Sequence, residues 1–377
     1  MIQGPQRTLL EQLASYVAVD ADTLEVDYIT SLPITPHDVT SNPRFVHDQL
    51  ADTNNKEMVE QVVKELKDAP WEEIYAVITS KFGARVIPHI SGRVLAQVLP
   101  SQSYDTDAMV KQARTYVKCW NAEGIPTERT CVKIPMTEEG AAAAAILSKE
   151  GIFTLGTCLF SIPQAIAASQ AGMHAVSMYW NEPLAGSDAT LWPDVADPAT
   201  EHPMAARHYR IRKIYDRLKQ ETGKRQPQIK TASFISVREC LAMVELGADH
   251  ITIGRLVLED LCMGWGLPKF QPGLWKVPVS EQLSKSGFEW EAWAAHDTAE
   301  TAKRMAAVAE TDPMSSIVDK DWLIASAKID YLAPGVLSKF NEDDPITRDR
   351  LKCGLARFSV FEGKSKTYIE EVRAGLA

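Results

Sequence analysis

From about residue 15 to residue 262, short apolar runs alternate with longer stretches whose apolar residues recur every three or four positions. The short runs read as strands: "YVAVDA" (16–21), "HDVTS" (37–41), "GRVLAQV" (92–98), "TCVKI" (130–134), "FTLGT" (153–157), "HAVSMYW" (174–180), "QIKTAS" (228–233) and "HITIG" (250–254). Between them lie helical patterns such as "NKEMVEQVVKELKDAPWEEIYAVITSKFG" (55–83) and "TDAMVKQARTYVKCWNAEG" (106–124). In the second, Ala108, Val110, Ala113, Tyr116 and Val117 share one face and a glycine closes the segment, the usual helix stop. "EEGAAAAAILSKEG" (138–151) and "IPQAIAASQAG" (162–172) end on glycine in the same way, and "VRECLAMVELGADH" (237–250) follows the same logic.

Eight strands alternating with helices predict a parallel sheet, and eight is the number that closes a barrel. The rival, an open doubly wound sheet, wants a glycine-rich phosphate loop after the first strand, and this chain has none. The expected architecture is therefore α/β: a (β/α)8 TIM barrel over residues 1–262 with a C-terminal helical extension. Residues 263–345 break the alternation. "MGWGLPKFQPGLWKVP" (263–278) reads as an ordered loop over one barrel face, or as an interaction surface, with helices near 279–310 and 320–340. Residues 346–377 read as a final helix that docks on the barrel through Leu351, Leu355, Phe358 and Phe361. No linker is long or polar enough to call for a second domain.

Composition narrows the partners. The 377 residues are 45% apolar and 24% charged, the values of a soluble globular protein. A net charge of −10 argues against nucleic acid and anionic membranes, which reward basic patches. No apolar run approaches the ~18 residues of a membrane span. The first residues carry acidic groups and no long apolar core, so no secretory leader and a cytoplasmic location are expected. The six cysteines form no C-x-x-C pair and read as free thiols, with Cys131 and Cys158 as core residues. The histidines show no H-E-x-x-H spacing, so no metal site is expected.

Barrel active sites lie at the carboxyl ends of the strands. Read in order, those ends bring Asp22, the Thr40–Asn42 cluster, Gln97, Lys133, Thr157, Ser177, Tyr179 and Ser233. Lys133, in "TCVKIPMTEEG" (130–140), stands inside an apolar strand. Taken alone it could be a spare surface residue, as strand-end Ser and Thr often only satisfy backbone groups. Set among so many polar strand ends, it is better read as a buried amine. Burial of an unpaired ammonium is costly and favours the neutral amine, the nucleophile of Schiff-base chemistry.

Several ordered blocks then share one likeness. "HDVTSNP" (37–43), "VKIP" followed by "TEEG", "SYDTDAMVKQAR" (103–114), "GIFTLGTCLFSIPQAIAASQAG" (151–172) and "TASFISVRECLAMVELGADHITI" (231–253) resemble successive segments of the transaldolase family of class I aldolases. The spacing from Tyr104 to Lys133 agrees as well, and the resemblance runs over roughly residues 8–262 and the final helix. It implies that Lys133 forms the Schiff base and that Asp22 moves the proton during carbon–carbon cleavage. Placing Asp22 requires a two-residue insertion before "HDVTSNP", and Asp20 and Asp27 are alternatives. It further implies that Asn42, with Thr40 and Ser177, binds donor hydroxyls, that Thr157 holds the water of imine formation, and that Ser233 lies near the family's phosphate site.

The chain departs from the family at four places. Gln97 stands for a glutamate beside the catalytic water; a glutamine orients water but takes no proton from it. Tyr179 stands for a phenylalanine. Gln and Tyr at these positions resemble the fructose-6-phosphate aldolase branch. Glu182 and Ile235 occupy the places of two phosphate-binding arginines, whose loss weakens binding of a phosphate dianion. Arg255 or Arg44 could substitute, or could form structural salt bridges instead.

The expectation is an aldolase or transaldolase joining a small, dihydroxyacetone-like ketone donor to a non-phosphorylated aldehyde acceptor. The alternatives are a pentose-phosphate transaldolase with Arg255 on the phosphate, and a non-catalytic barrel kept as a binding protein. No cofactor is expected, because the lysine serves as the electron sink once it is an iminium. Expected partners are small ketones, aldehydes or sugars, with no nucleic acid and no membrane; homo-oligomerisation is left open.

Overall fold

The computed structural model describes residues 7–263, 298–315 and 320–376. Its strands are β1 (Ala18–Asp22), β2 (Val39–Thr40), β3 (Val94–Gln97), β4 (Thr130–Pro135), β5 (Thr154–Leu159), β6 (Ala175–Met178), β7 (Gln228–Thr231) and β8 (His250–Ile253). They follow one another in sequence order around a closed barrel, with parallel pairing such as Val94↔Thr130 and Gln97↔Lys133 between β3 and β4. All eight expected strands are present, and the chain is a (β/α)8 barrel with a C-terminal helical extension.

The helices are α1 (Leu9–Leu13), α2 (Val26–Ser31), α3 (Pro43–Ala51), α4 (Lys56–Glu65), α5 (Trp71–Val86), α6 (Thr106–Ala122), α7 (Glu138–Lys149) and α8 (Ile162–Gln170). They continue with α9 (Pro198–Glu201), α10 (Ala205–Thr222), α11 (Val237–Leu246), α12 (Arg255–Met263), α13 (Thr298–Val308), α14 (Lys320–Ser326), α15 (Val336–Asp343) and α16 (Pro345–Leu376). The helical pattern over 55–83 resolves into two helices, because Pro70 cannot extend α4 and instead forms the N-cap of α5. The stretch near 320–340 divides likewise at Pro334–Gly335, where Gly335 caps α15 in the left-handed region. Within the segment expected to cover the barrel, 263–345, residues 264–297 and 316–319 lie outside the described residues.

Contact density separates two compact units. One comprises Met1–Val19, Leu32–Ile34 and Ser177–Ile329; the other comprises Asp20–Ser31, Thr35–Val176 and Asp330–Ala377. In the second unit the strands stack side chains in two layers. Leu95, Cys131, Leu155 and Ala175 form a buried apolar layer, with Phe153 packed against it. Side chains two residues further along a strand return to the same face, which puts Gln97, Lys133 and Thr157 in a polar layer nearer the carboxyl ends. The same unit packs α16 against α3, α4 and α5 and α15 against α8.

In the first unit, α10 carries two buried arginines: Arg207 binds Asp312 at 3.0 Å, and Arg210 donates to the Ala309 and Glu310 carbonyls. Arg304 of α13 bridges Asp197 and Glu245.

The turn after Lys133 leaves no room for a side chain at Gly140, where a Cβ would lie 2.0 Å from the Pro135 carbonyl oxygen. That oxygen belongs to the backbone, so the strand end itself would have to shift. Gly140→Ala is expected to lower stability by about 1–3 kcal/mol, the range for overpacking, as measured by urea unfolding.

Candidate active site

The polar layer of the second unit is built around Lys133. Its side chain is 5% exposed, and Nζ donates to Thr40 Oγ1 at 2.9 Å, reaching past β3 to β2. Thr40 pairs in register with Asp22, the last residue of β1, so the two share a face. Burial pushes the Lys133 amine below the ordinary lysine value, and the Asp22 charge opposes that shift in part. Burial likewise pushes the Asp22 carboxyl up to about 6, against the opposing charges of Lys133 and Arg44. Asp22 Oδ1 is buried with no hydrogen-bond partner among the described residues. Among the three candidate aspartates, Asp22 is thus the one coupled to the lysine. Asp20 accepts the Asp38 N–H at 3.0 Å, and Asp27 is exposed on α2.

Gln97 stands beside Lys133 in the β3–β4 register and is buried, yet neither its Oε1 nor its Nε2 has a partner among the described residues. A fully buried, unpartnered amide is costly, and such exceptions in native structures mark places where water or a ligand completes the bonding. Thr157 is fully buried on β5, next to Cys158, whose φ of 54° puts a non-glycine residue in the left-handed region. Asn42 caps α3, its Oδ1 accepting the Arg44 N–H at 2.9 Å, so what remains for a ligand is its Nδ2 donor pair. Arg44 itself is half-exposed and lies 3.6 Å from Asp48.

The remaining candidates belong to the first unit. Ser177 is buried on β6, and Tyr179 bridges to Ala232 through the backbone. Ser233 has a φ of 71°, and its hydroxyl donates to the Asn181 carbonyl at 3.3 Å. Arg255 opens α12, is half-exposed, and binds Glu259 one turn on at 2.8 Å.

Sequence reasoning gave no part to Asn181 or Glu239, which tie these turns together. Asn181 Nδ2 donates to the Ser233 carbonyl and to Glu239 Oε1, and Trp192 Nε1 donates to the same carboxylate oxygen. Glu239 Oε2 accepts the Ile235 and Ser236 N–H groups, completing a capping box at the start of α11. The spacing "SVRE" (236–239) was a readable sign of that box.

Fold and polar layer together define a (β/α)8 barrel with an amine and a carboxyl coupled at its strand ends. The sequence model described as Transaldolase/Fructose-6-phosphate aldolase matches residues 19–309, and the chain belongs to that family. It is of the aldolase/transaldolase type. Among solved structures, "Native KDPGal structure" is 10% identical at a TM-score of 0.29, covering 71% of this chain and 96% of that one. A porous protein cage designed by fusing symmetric oligomeric domains is 11% identical at a TM-score of 0.32, covering 91% and 98%. No helix among the described residues is long and apolar enough to cross a membrane.

The Asp22 carboxyl has a stability signature. Its value rises from 3.8 to about 6 on folding, so its contribution is fully present below pH 4 and is lost as the pH climbs through 6. Asp22→Asn is therefore expected to be more stable than the parent at pH 7 by about 2–3 kcal/mol. Denaturant unfolding at the two pH values should show that advantage closing below pH 4.

Proposed function

We propose that the protein is a Schiff-base aldolase or transaldolase that joins a dihydroxyacetone-like ketone donor to a non-phosphorylated aldehyde acceptor. The observation that carries this reading is the buried Lys133 amine, bonded to Thr40 and coupled to Asp22, with burial favouring its neutral form.

In cleavage the neutral amine attacks the donor carbonyl, and loss of water leaves an iminium. The Asp22 carboxylate takes the proton of the hydroxyl on the β-carbon, at the far end of the bond between the α- and β-carbons of the iminium. That bond then breaks, its electron pair passes into the iminium as an enamine, and the aldehyde leaves. Addition of a second aldehyde, or of a proton, reverses the charge flow, and water releases the product and restores the amine. A carboxyl near 6 exchanges its proton readily at neutral pH, as the role requires. Gln97 offers a donor and an acceptor to the water of imine formation without becoming its base. Thr157, by the family correspondence, holds that water. The same correspondence gives Asn42, Thr40 and Ser177 the donor hydroxyls and gives Tyr179 the acceptor oxygen.

Support for a neutral acceptor comes from Glu182 and Ile235, which stand where the family carries arginines. Arg255, the proposed substitute and otherwise a substrate-binding candidate together with Ser233, is paired to Glu259 in an exposed turn.

Borohydride with dihydroxyacetone should leave a reduced adduct on Lys133, and Lys133→Met should carry none. Asp22→Asn should still be trapped, while its aldol turnover falls by about 10²–10⁴-fold. Absence of any adduct across a panel of small ketones, with the protein folded, would remove the proposal. Efficient transfer from fructose 6-phosphate to erythrose 4-phosphate would replace the neutral acceptor with a phosphorylated one.

A further inference from the structure

Helix α16 buries Leu351, Leu355 and Phe358, and it also buries a carboxylate. Glu362 is 7% exposed, and packing alone would favour an apolar side chain there. Its two oxygens are both engaged by one residue: Ser101 N donates to Oε2 at 2.9 Å, and Ser101 Oγ donates to Oε1 at 2.5 Å. Ser101 lies four residues beyond Gln97, in the turn that leaves β3.

The backbone is held at Gln97, Val98 and Leu99 in turn. The Gln97 carbonyl accepts from Tyr116 OH at 3.1 Å, and Val98 N donates to the Lys133 carbonyl at 3.0 Å. Leu99 N donates to Gln112 Oε1 at 2.8 Å, while Gln112 Nε2 donates to Tyr116 OH at 3.4 Å. Glu362 then closes the turn at Ser101. The Glu362 charge also reaches the buried hydroxyls of Tyr75 and Tyr116, adding to the effect of burial on both. Amid this bracing the Gln97 amide has no partner among the described residues and stands beside Lys133. A side chain that must place a water benefits from a backbone that cannot shift, since a displacement of about 1 Å can cost about 10²-fold in rate.

We propose that Glu362 is a positioning residue: through Ser101 it fixes the end of β3, and so fixes the Gln97 amide beside the Lys133 amine. It touches no substrate. The C-terminal helix thereby governs how fast the imine forms and hydrolyses, while donor binding is left to Lys133, Thr40 and Asn42. The inference rests on the Schiff-base reading above.

The test follows the adduct on Lys133 by intact mass, using dihydroxyacetone with cyanoborohydride, and then the loss of trappable imine after dilution. Ser101→Ala and Glu362→Gln should slow both steps by about ten- to hundredfold, with the half-saturating donor concentration within about twofold of the parent's. Ser101→Thr, which keeps the hydroxyl, should restore the parent's rates. Ser101 is exposed, so its alanine variant opens no cavity and should still fold, with a modest fall in melting temperature from the unbonded Glu362 oxygen; it keeps the test valid should Glu362→Gln fail to fold. Parent-like rates in Ser101→Ala overturn the inference, as do a loss confined to donor affinity and a Ser101→Thr variant no faster than Ser101→Ala. An adduct in the parent keeps the Schiff-base reading in all three cases; no adduct in the parent removes both.

Discussion

The structure depends on keeping one amine out of water. Lys133 and Asp22 are enclosed together, and burial acts on them in opposite directions, lowering the amine's proton affinity and raising the carboxyl's. Their mutual attraction opposes both shifts without cancelling either. The pair is therefore drawn towards the state in which the amine is free to attack and the carboxyl can still hold a proton near neutral pH. Two groups on a solvated surface would stay near their ordinary values, about six pH units apart, and would offer no such exchange. The Thr40 hydroxyl satisfies the amine's geometry without fixing its charge, because a hydroxyl can accept from an ammonium or an amine alike.

Holding that pair requires support from below and from outside. The apolar layer of Leu95, Cys131, Leu155 and Ala175 keeps water from the floor beneath Lys133. From outside, the C-terminal segment reaches the turns after β3 and β4. Glu362 binds Ser101, Asn341 Nδ2 donates to the Met136 carbonyl at 3.2 Å, and Glu138 accepts the Gly335 and Ser338 N–H groups at the start of α15. Strand ends alone are short, with two to six residues per strand in this unit, and their outgoing turns carry backbone groups that need partners. A late segment of the chain supplies them.

Much of this could be read in the sequence, and the limits have physical causes. Most of the strands stand out as apolar runs, because parallel strands buried on both faces read as continuous hydrophobic stretches; β2 and β7, with one apolar residue each, are read from their place in the alternation. The helix pattern over 55–83 concealed a break, since periodicity continues across Pro70 while the backbone cannot. Asp20 and Asp22 could not be told apart by pattern, because residues two apart on a strand face the same way. What separates them is a long-range bond from Asp38 N to Asp20 and the proximity of Asp22 to Lys133. The Ser101–Glu362 contact spans 261 positions, and a glutamate in an amphipathic helix gives no sign that it will be buried. Asn181 escaped notice for the same reason, although the local capping box around Glu239 was legible.

The acceptor side turns on how much charge recognition one arginine could restore. The exposed pair between Arg255 and Glu259 is worth only about 0.3–0.5 kcal/mol, too little to keep Arg255 from a phosphate dianion by itself. Pairing is therefore a weak objection to the phosphate reading. The stronger one lies at Glu182 and Ile235. Under the proposed family correspondence, each absent arginine takes with it charged hydrogen bonds worth about 1.5–3 kcal/mol apiece, and Glu182 adds a carboxylate where a cation is wanted. Arg255 alone would recover at most one of two forks. On that balance the proposal of a neutral acceptor is the better supported one, and the Schiff-base proposal stands separately on the amine, the carboxyl and the amide of Lys133, Asp22 and Gln97.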